Sequence, residues 1–148
     1  MDIRVQEEPF AFGAEAERFA AAQDSMGAVV TFSGIVRDTD AGLEAMEIEH
    51  YPGMTQAQLS TFAEQAKARF SLGDCMVIHR YGRLVPGDTI MMVATAARHR
   101  ADAFAGAEYL MDYLKSRAPF WKREISKAGT TWVAPRDVDE DALSRWSP

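Results

Sequence analysis

The chain has 148 residues, with 16 Lys and Arg against 22 Asp and Glu for a net charge of −6. That length suits one domain with a real core, and 47% apolar with 26% charged residues excludes wholesale disorder. No apolar run reaches the roughly 18 residues of a membrane span, Met1–Arg4 opens no secretory leader, and the one cysteine, Cys75, excludes a disulfide framework or Cys-rich metal site, so a single cytoplasmic domain over residues 1–148 is expected.

In chain order, the Ala-rich residues 14–22 predict a short helix, and Gly27–Arg37 (GAVVTFSGIVR) a strand. The polar residues Asp38–Gly42 turn the chain into Leu43–Tyr51, whose alternation predicts an antiparallel strand with one buried side. Pro52-Gly53 punctuates. Thr55-x-x-Gln58 fits a capping box, with Thr55 as the cap, and Leu59, Phe62, Ala63, Ala66 and Phe70 recur at helical spacing until Gly73. Strands are expected over Cys75–Leu84 and Thr89–Ala97, joined by the Val85-Pro86-Gly87-Asp88 turn. A longer helix follows from about Ala101 to Arg117, with Phe104, Ala107, Met111 and Leu114 on its apolar stripe. Pro119 stops it, because proline lacks an amide donor and disfavours helix at the residue before it. Phe120–Ser126 and Thr130–Val133 predict a last strand pair, and the tail from about Asp137 is acidic and loose or helical. The order is α+β with mostly antiparallel strands; no GxGxxG or P-loop occurs.

The average charge hides a split. Residues 98–123 hold six basic and three acidic side chains, a local +3 in a body that is otherwise −9. An acidic body disfavours nonspecific nucleic-acid binding, whereas a compact basic segment suits a small anion. Arg98-His99-Arg100 stands where a strand ends and the long helix begins, and helix N-termini attract anions. The competing reading is a solvated charged face, or pairing with Asp102. Lys115, near the helix C-terminus, and Lys122, across the Ser116–Trp121 corner, could together serve an oxyanion or a proton transfer, though a C-terminal lysine is favourable on dipole grounds alone. Arg37 and Arg136 read as surface cations by themselves. His50 and His79 sit among apolar strand neighbours as structural histidines, and no HxH or HxxxH spacing offers a metal site. Cys75 has no activating neighbour and reads as core.

Five stretches in order, AVVTFSGIVR (28–37), LEAMEIEHYPGM (43–54), VIHRYGRLVPG (77–87), ARHRADAF (97–104) and MDYLKSRAPFWKRE (111–124), resemble the MoaE family, the large catalytic subunits of molybdopterin synthase. The match runs from about Pro9 to Trp146. The resemblance implies an α/β hammerhead-like fold with a small β subdomain. It implies a sulfurtransferase that adds two sulfurs to cyclic pyranopterin monophosphate to form the dithiolene of molybdopterin. The sulfur would come from the C-terminal Gly-Gly thiocarboxylate of a small ubiquitin-like subunit, in a heterotetramer built around a large-subunit homodimer, with no cofactor or metal, no nucleic acid and no membrane. Carried over residue by residue, it makes Lys115 and Lys122 the catalytic lysines. Arg37, His99, Arg100 and Arg136 become substrate-phosphate ligands, Arg136 reaching the neighbouring large subunit's pocket, and Phe32, Met111 and Pro119 pocket positions. Ile35 stands where some members carry lysine. The alternatives are a non-catalytic binding module for a phosphorylated metabolite, and an isomerase or lyase using Lys115 as a Schiff base.

Overall fold

Continuous apolar runs and half-polar ones sort into two separate sheets. The computed structural model describes residues 1–40, 42–133 and 137–147. Its order is β1 (Asp2–Gln6), α1 (Phe12–Ala21), β2 (Ala28–Ile35), β3 (Leu43–His50), α2 (Met54–Phe70), β4 (Asp74–Arg80), β5 (Gly82–Leu84), β6 (Thr89–Ala97), α3 (Arg100–Ser116), β7 (Phe120–Ser126), β8 (Gly129–Trp132) and α4 (Asp137–Leu143), with a 3₁₀ turn at Ser144–Trp146. The first sheet runs β1-β4-β6-β2 and the second β5-β3-β7-β8. This is an α+β fold, antiparallel except for the β1–β4 pair.

β4 and β6 are central strands buried on both faces, which is why their sequences are nearly all apolar. On one face Cys75, Val77, Met91 and Val93 meet Leu59, Phe62 and Ala66 of α2 and Ala103, Ala107 and Leu110 of α3. On the other, Met76, Ile78 and Met92 meet Phe19 of α1. Each such large aliphatic side chain contributes about 1.5–3 kcal/mol by leaving water. A smaller cluster, Val36, Leu43, Ile48 and Leu84, supports the second sheet, and Ile90 and Phe120 pack against both it and the main core.

Several expectations are corrected. β1 was not foreseen; it pairs in parallel with β4 from Asp2↔Met76 to Gln6↔Arg80. Cys75–Leu84 is two strands in different sheets, split at Tyr81, where Gly82 takes φ +89° and lets the chain turn away. In β3 the single buried side is interrupted: Leu43 and Ala45 are buried as well as Ile48, and pairing with β7 slips between Leu43 and Ala45, as at a bulge. Thr55 is not the cap of α2. The helix starts at Met54, and the Thr55 hydroxyl donates to the Pro119 carbonyl (3.0 Å) while accepting from the Tyr51 N–H (2.9 Å). Ser71, at φ +51°, closes α2, whereas Gly73 serves a close approach: a Cβ there would lie 2.4 Å from Met26 Sδ. Phe104 leaves the apolar stripe and is 60% exposed; Ala107 is buried as expected, Met111 and Leu114 pack partly buried against the core, and Ala103 and Leu110 join them.

Candidate functional site

α3 ends where Pro119 removes a donor, and the turn is pinned from two sides. The Arg117 and Ala118 N–H groups both donate to the Tyr113 carbonyl, and buried Thr55 holds the Pro119 carbonyl. The chain reverses into β7, so Lys115 on the last helical turn and Lys122 on the strand come within electrostatic reach of each other. Their settings differ. Lys115 is exposed. Lys122 is half-buried opposite Ile48 of β3, and loss of hydration, reinforced by the Lys115 cation, brings its ammonium down to about 8, against an opposing pull from Asp139 on α4. At pH 7 roughly a tenth of Lys122 is then free amine, a few hundredfold above an ordinary lysine.

Beneath this corner the two sheets join through aromatic rings. His79 of β4 stacks on Phe120 of β7 with centroids 3.8 Å apart, and His50 of β3 lies 4.0 Å from Tyr81. Burial, with Lys122 and then Lys115 as the nearest cations, drives the His79 imidazole down to about 3, so it is neutral. Two hollows flank the corner. One of about 420 Å³ is lined by Met54, Gln58, Phe62, Tyr113 and Pro119, and one of about 440 Å³ by Tyr51, Trp121 and Trp132; neither lysine lines them.

The remaining expected residues fall into two groups. Arg37 is exposed just after β2, past Val36, whose N–H and C=O are held by Asp88 and Gly87. Because α3 runs back along β6 and β2, Arg37 and Lys115 lie toward the same end of the molecule. Phe32 stands 42% exposed midway along the β2 edge, Met111 is half-buried against the core, and Pro119 lines the first hollow. Arg98, His99 and Arg100 are all exposed, with His99 at the N-cap of α3. The 17 residues of α3 separate them from Lys115 by roughly 25 Å. One chain thus keeps His99 and Arg100 apart from the lysines, while Arg37 lies toward the lysine end. Arg136 lies outside the described residues. Among the described residues no group of three His, Cys, Asp or Glu could hold a metal, and no helix is long and apolar enough to cross a membrane. Sequence reasoning read His79 only as structural and missed Thr55 as the clamp of the lysine corner; both depend on strands and turns far apart in sequence.

This α+β arrangement defines a class already known. The family model described as MoaE protein matches residues 5–117. A molybdopterin synthase catalytic subunit from Cereibacter sphaeroides is 61% identical over 146 residues, covering 99% of this chain and 100% of that one. Among solved structures, the molybdopterin biosynthesis MoaE protein from Burkholderia ambifaria superposes with a TM-score of 0.84 at 47% identity, covering 99% of both chains. Molybdopterin synthase from Staphylococcus aureus gives 0.81 at 28%, covering 88% of this chain and 96% of that one. The chain belongs to the MoaE family.

Proposed function

We propose that this chain, as a catalytic subunit of molybdopterin synthase, performs sulfur transfer at the Lys115–Lys122 corner. The observation that carries the reading is the pairing of one exposed ammonium with one dehydrated lysine across the Pro119 turn. A thiocarboxylate sulfur on the tail of a small ubiquitin-like subunit adds to an electrophilic carbon of cyclic pyranopterin monophosphate: the C–S bond forms as a carbon–oxygen bond at that carbon breaks, its electron pair leaving with the oxygen, which is protonated. Water then attacks the resulting thioester carbonyl, the acyl C–S bond breaks, and the tail leaves as a carboxylate. Lys115 stabilises the tetrahedral oxyanion as an ammonium. Lys122, as amine, takes up a proton from the reacting groups. The nucleophile arrives as a sulfur anion on the partner, so the protein's buried Cys75 thiol, pushed up to about 11, need not react. The whole sequence acts as one domain, and the reaction belongs in the cytoplasm.

The phosphate ligands complete the site from a second copy of the chain. β2 is the edge of the first sheet and exposes Val29 (38%), Phe32 (42%) and Ile35 (58%), the kind of apolar edge that seeks a partner. Antiparallel pairing of two β2 edges spans about 26 Å, close to the length of α3. It would carry the second copy's His99 and Arg100 toward Arg37 and the lysines, with Arg136 as a further ligand.

The test is reconstituted transfer with a thiocarboxylated small subunit and cyclic pyranopterin monophosphate. The wild type should form dithiolene product, and Lys115→Ala should retain less than about 1% of the rate, a loss typical of removing a transition-state charge. Substrate binding without product from the wild type would replace this reading with that of a metabolite-binding module.

A further inference from the structure

His79 is a buried imidazole, 4% exposed, that the sulfur-transfer scheme does not use. Its surroundings go beyond what a structural histidine in a strand needs. Nδ1 lies 2.8 Å from the Arg80 carbonyl, which can only accept, so Nδ1 carries the proton and Nε2 the lone pair. The ring lies nearly flat on Phe120, 18° from parallel. Phe120 and Lys122 alternate onto the same face of β7. The titratable groups that act most strongly on the imidazole are Lys122 from β7, Lys115 from α3 and His50 from β3. Arg80 points elsewhere, its Nε donating to the Glu7 carbonyl. A protonated ring here would be one more cation beside two lysines.

We propose that His79 is a positioning residue for Lys122: its ring, tethered to the Arg80 carbonyl and stacked under Phe120, forms the dry floor against which β7 holds the lysine half-buried. The floor works in two ways. It excludes water from one side of the lysine, and its flat stack fixes the Phe120 end of β7, so that Lys122 projects from a strand that cannot roll. A phenylalanine would keep the flatness and the dryness; an alanine would admit water. This rests on the reading of Lys122 as part of the reacting corner, but its main readout does not require turnover.

The experiment follows the Lys122 amine directly by NMR of the reductively ¹³C-methylated protein, assigned with Lys122→Arg. Rates of the reconstituted reaction are measured beside it from pH 6.5 to 9.5. His79→Ala should move the Lys122 titration upward from about 8 toward the ordinary lysine value of 10.5. It should lower kcat at pH 7 about tenfold for each unit moved, with KM nearly unchanged and the rise of rate with pH displaced in the same direction. His79→Phe should keep both the titration and kcat within about twofold of wild type. If His79→Ala does not fold, His79→Gln, uncharged and unable to stack as a ring, takes its place. A Lys122 titration unmoved in the folded Ala or Gln variant would overturn the proposal, as would an equal displacement in His79→Phe. A shifted titration in a protein that transfers no sulfur would leave the floor standing and remove the sulfur-transfer reading alone.

Discussion

Two lysines seven positions apart acquire different chemistry because one faces water and the other a packed seam. Lys115 stands in water on the last turn of α3; Lys122 is held where charge is costly. That cost has a sign. The unfolded chain keeps Lys122 protonated up to about 10.5, the folded one only to about 8, so between these values the unfolded state binds more protons and stability rises with pH. Replacing the lysine removes both the cost and the rise. Lys122→Met should be more stable than wild type by about 1 kcal/mol at pH 7, with melting temperatures that no longer climb from pH 8 to 10, while sulfur transfer falls. Equal stability at pH 7 and an unchanged climb would show that Lys122 is well hydrated. The MDYLKSRAPFWKRE segment singles out both lysines in the sequence, and their spacing around Pro119 alone is a weak signal. Their unequal environments were not legible there, since those arise from Ile48, His79 and Phe120, contributed by three strands that periodicity cannot bring together.

At the level of elements, local signals gave the helices and most strands, and failed wherever a partner decided the outcome. β1 carries no strong alternation, yet it docks on β4, and Arg4 and Arg18 clamp Glu15 of α1, taking its carboxyl down to about 2. Thr55 has the right residues around it for a cap, but the Tyr51 amide and the Pro119 carbonyl claim its hydroxyl. On α3 the exception is Phe104: it looks like core, but small Ala103 and Gly106 make the contact beside the expected Ala107. At Gly106 a Cβ would lie 2.8 Å from Leu72 Cδ1. Gly27 is a tighter case. It sits just before β2, and a Cβ there would be 2.8 Å from the Arg98 carbonyl oxygen, a backbone atom that cannot swing aside. Gly27→Ala should therefore cost about 1–3 kcal/mol in chemical denaturation. Because Arg98 leads into His99 and Arg100, it should also weaken substrate binding. A stability within 0.5 kcal/mol of wild type, roughly the scatter of harmless surface changes, would mean that the strand shifts to make room.

For the molecule as a whole, α3 acts as a spacer, with lysines at one end and a basic start at the other. The sequence placed both sets of residues in one list because the family resemblance does so, and only the fold reveals that one chain holds them roughly 25 Å apart. If two copies complete each other's sites, crippled chains should rescue one another. Lys115→Ala and Arg100→Ala, each inactive alone, should recover about a quarter of wild-type activity when refolded together in equal amounts, since half the random dimers carry one intact site. No recovery in verified mixed dimers would place all ligands on one chain.

The parallel pairing of β1 with β4 also constrains how this protein is made. Asp2 waits for Met76, and β2 waits for β6, which completes only at Ala97. Contacts this distant in sequence form slowly. From Ile35 to Ala97, 62 of the 148 residues of synthesis, the emerging chain presents β2 without its ladder neighbour β6, its Val29, Phe32 and Ile35 open to any other nascent strand. The segment that needs shielding from wrong partners on the ribosome is the same edge proposed to join two copies of the finished protein.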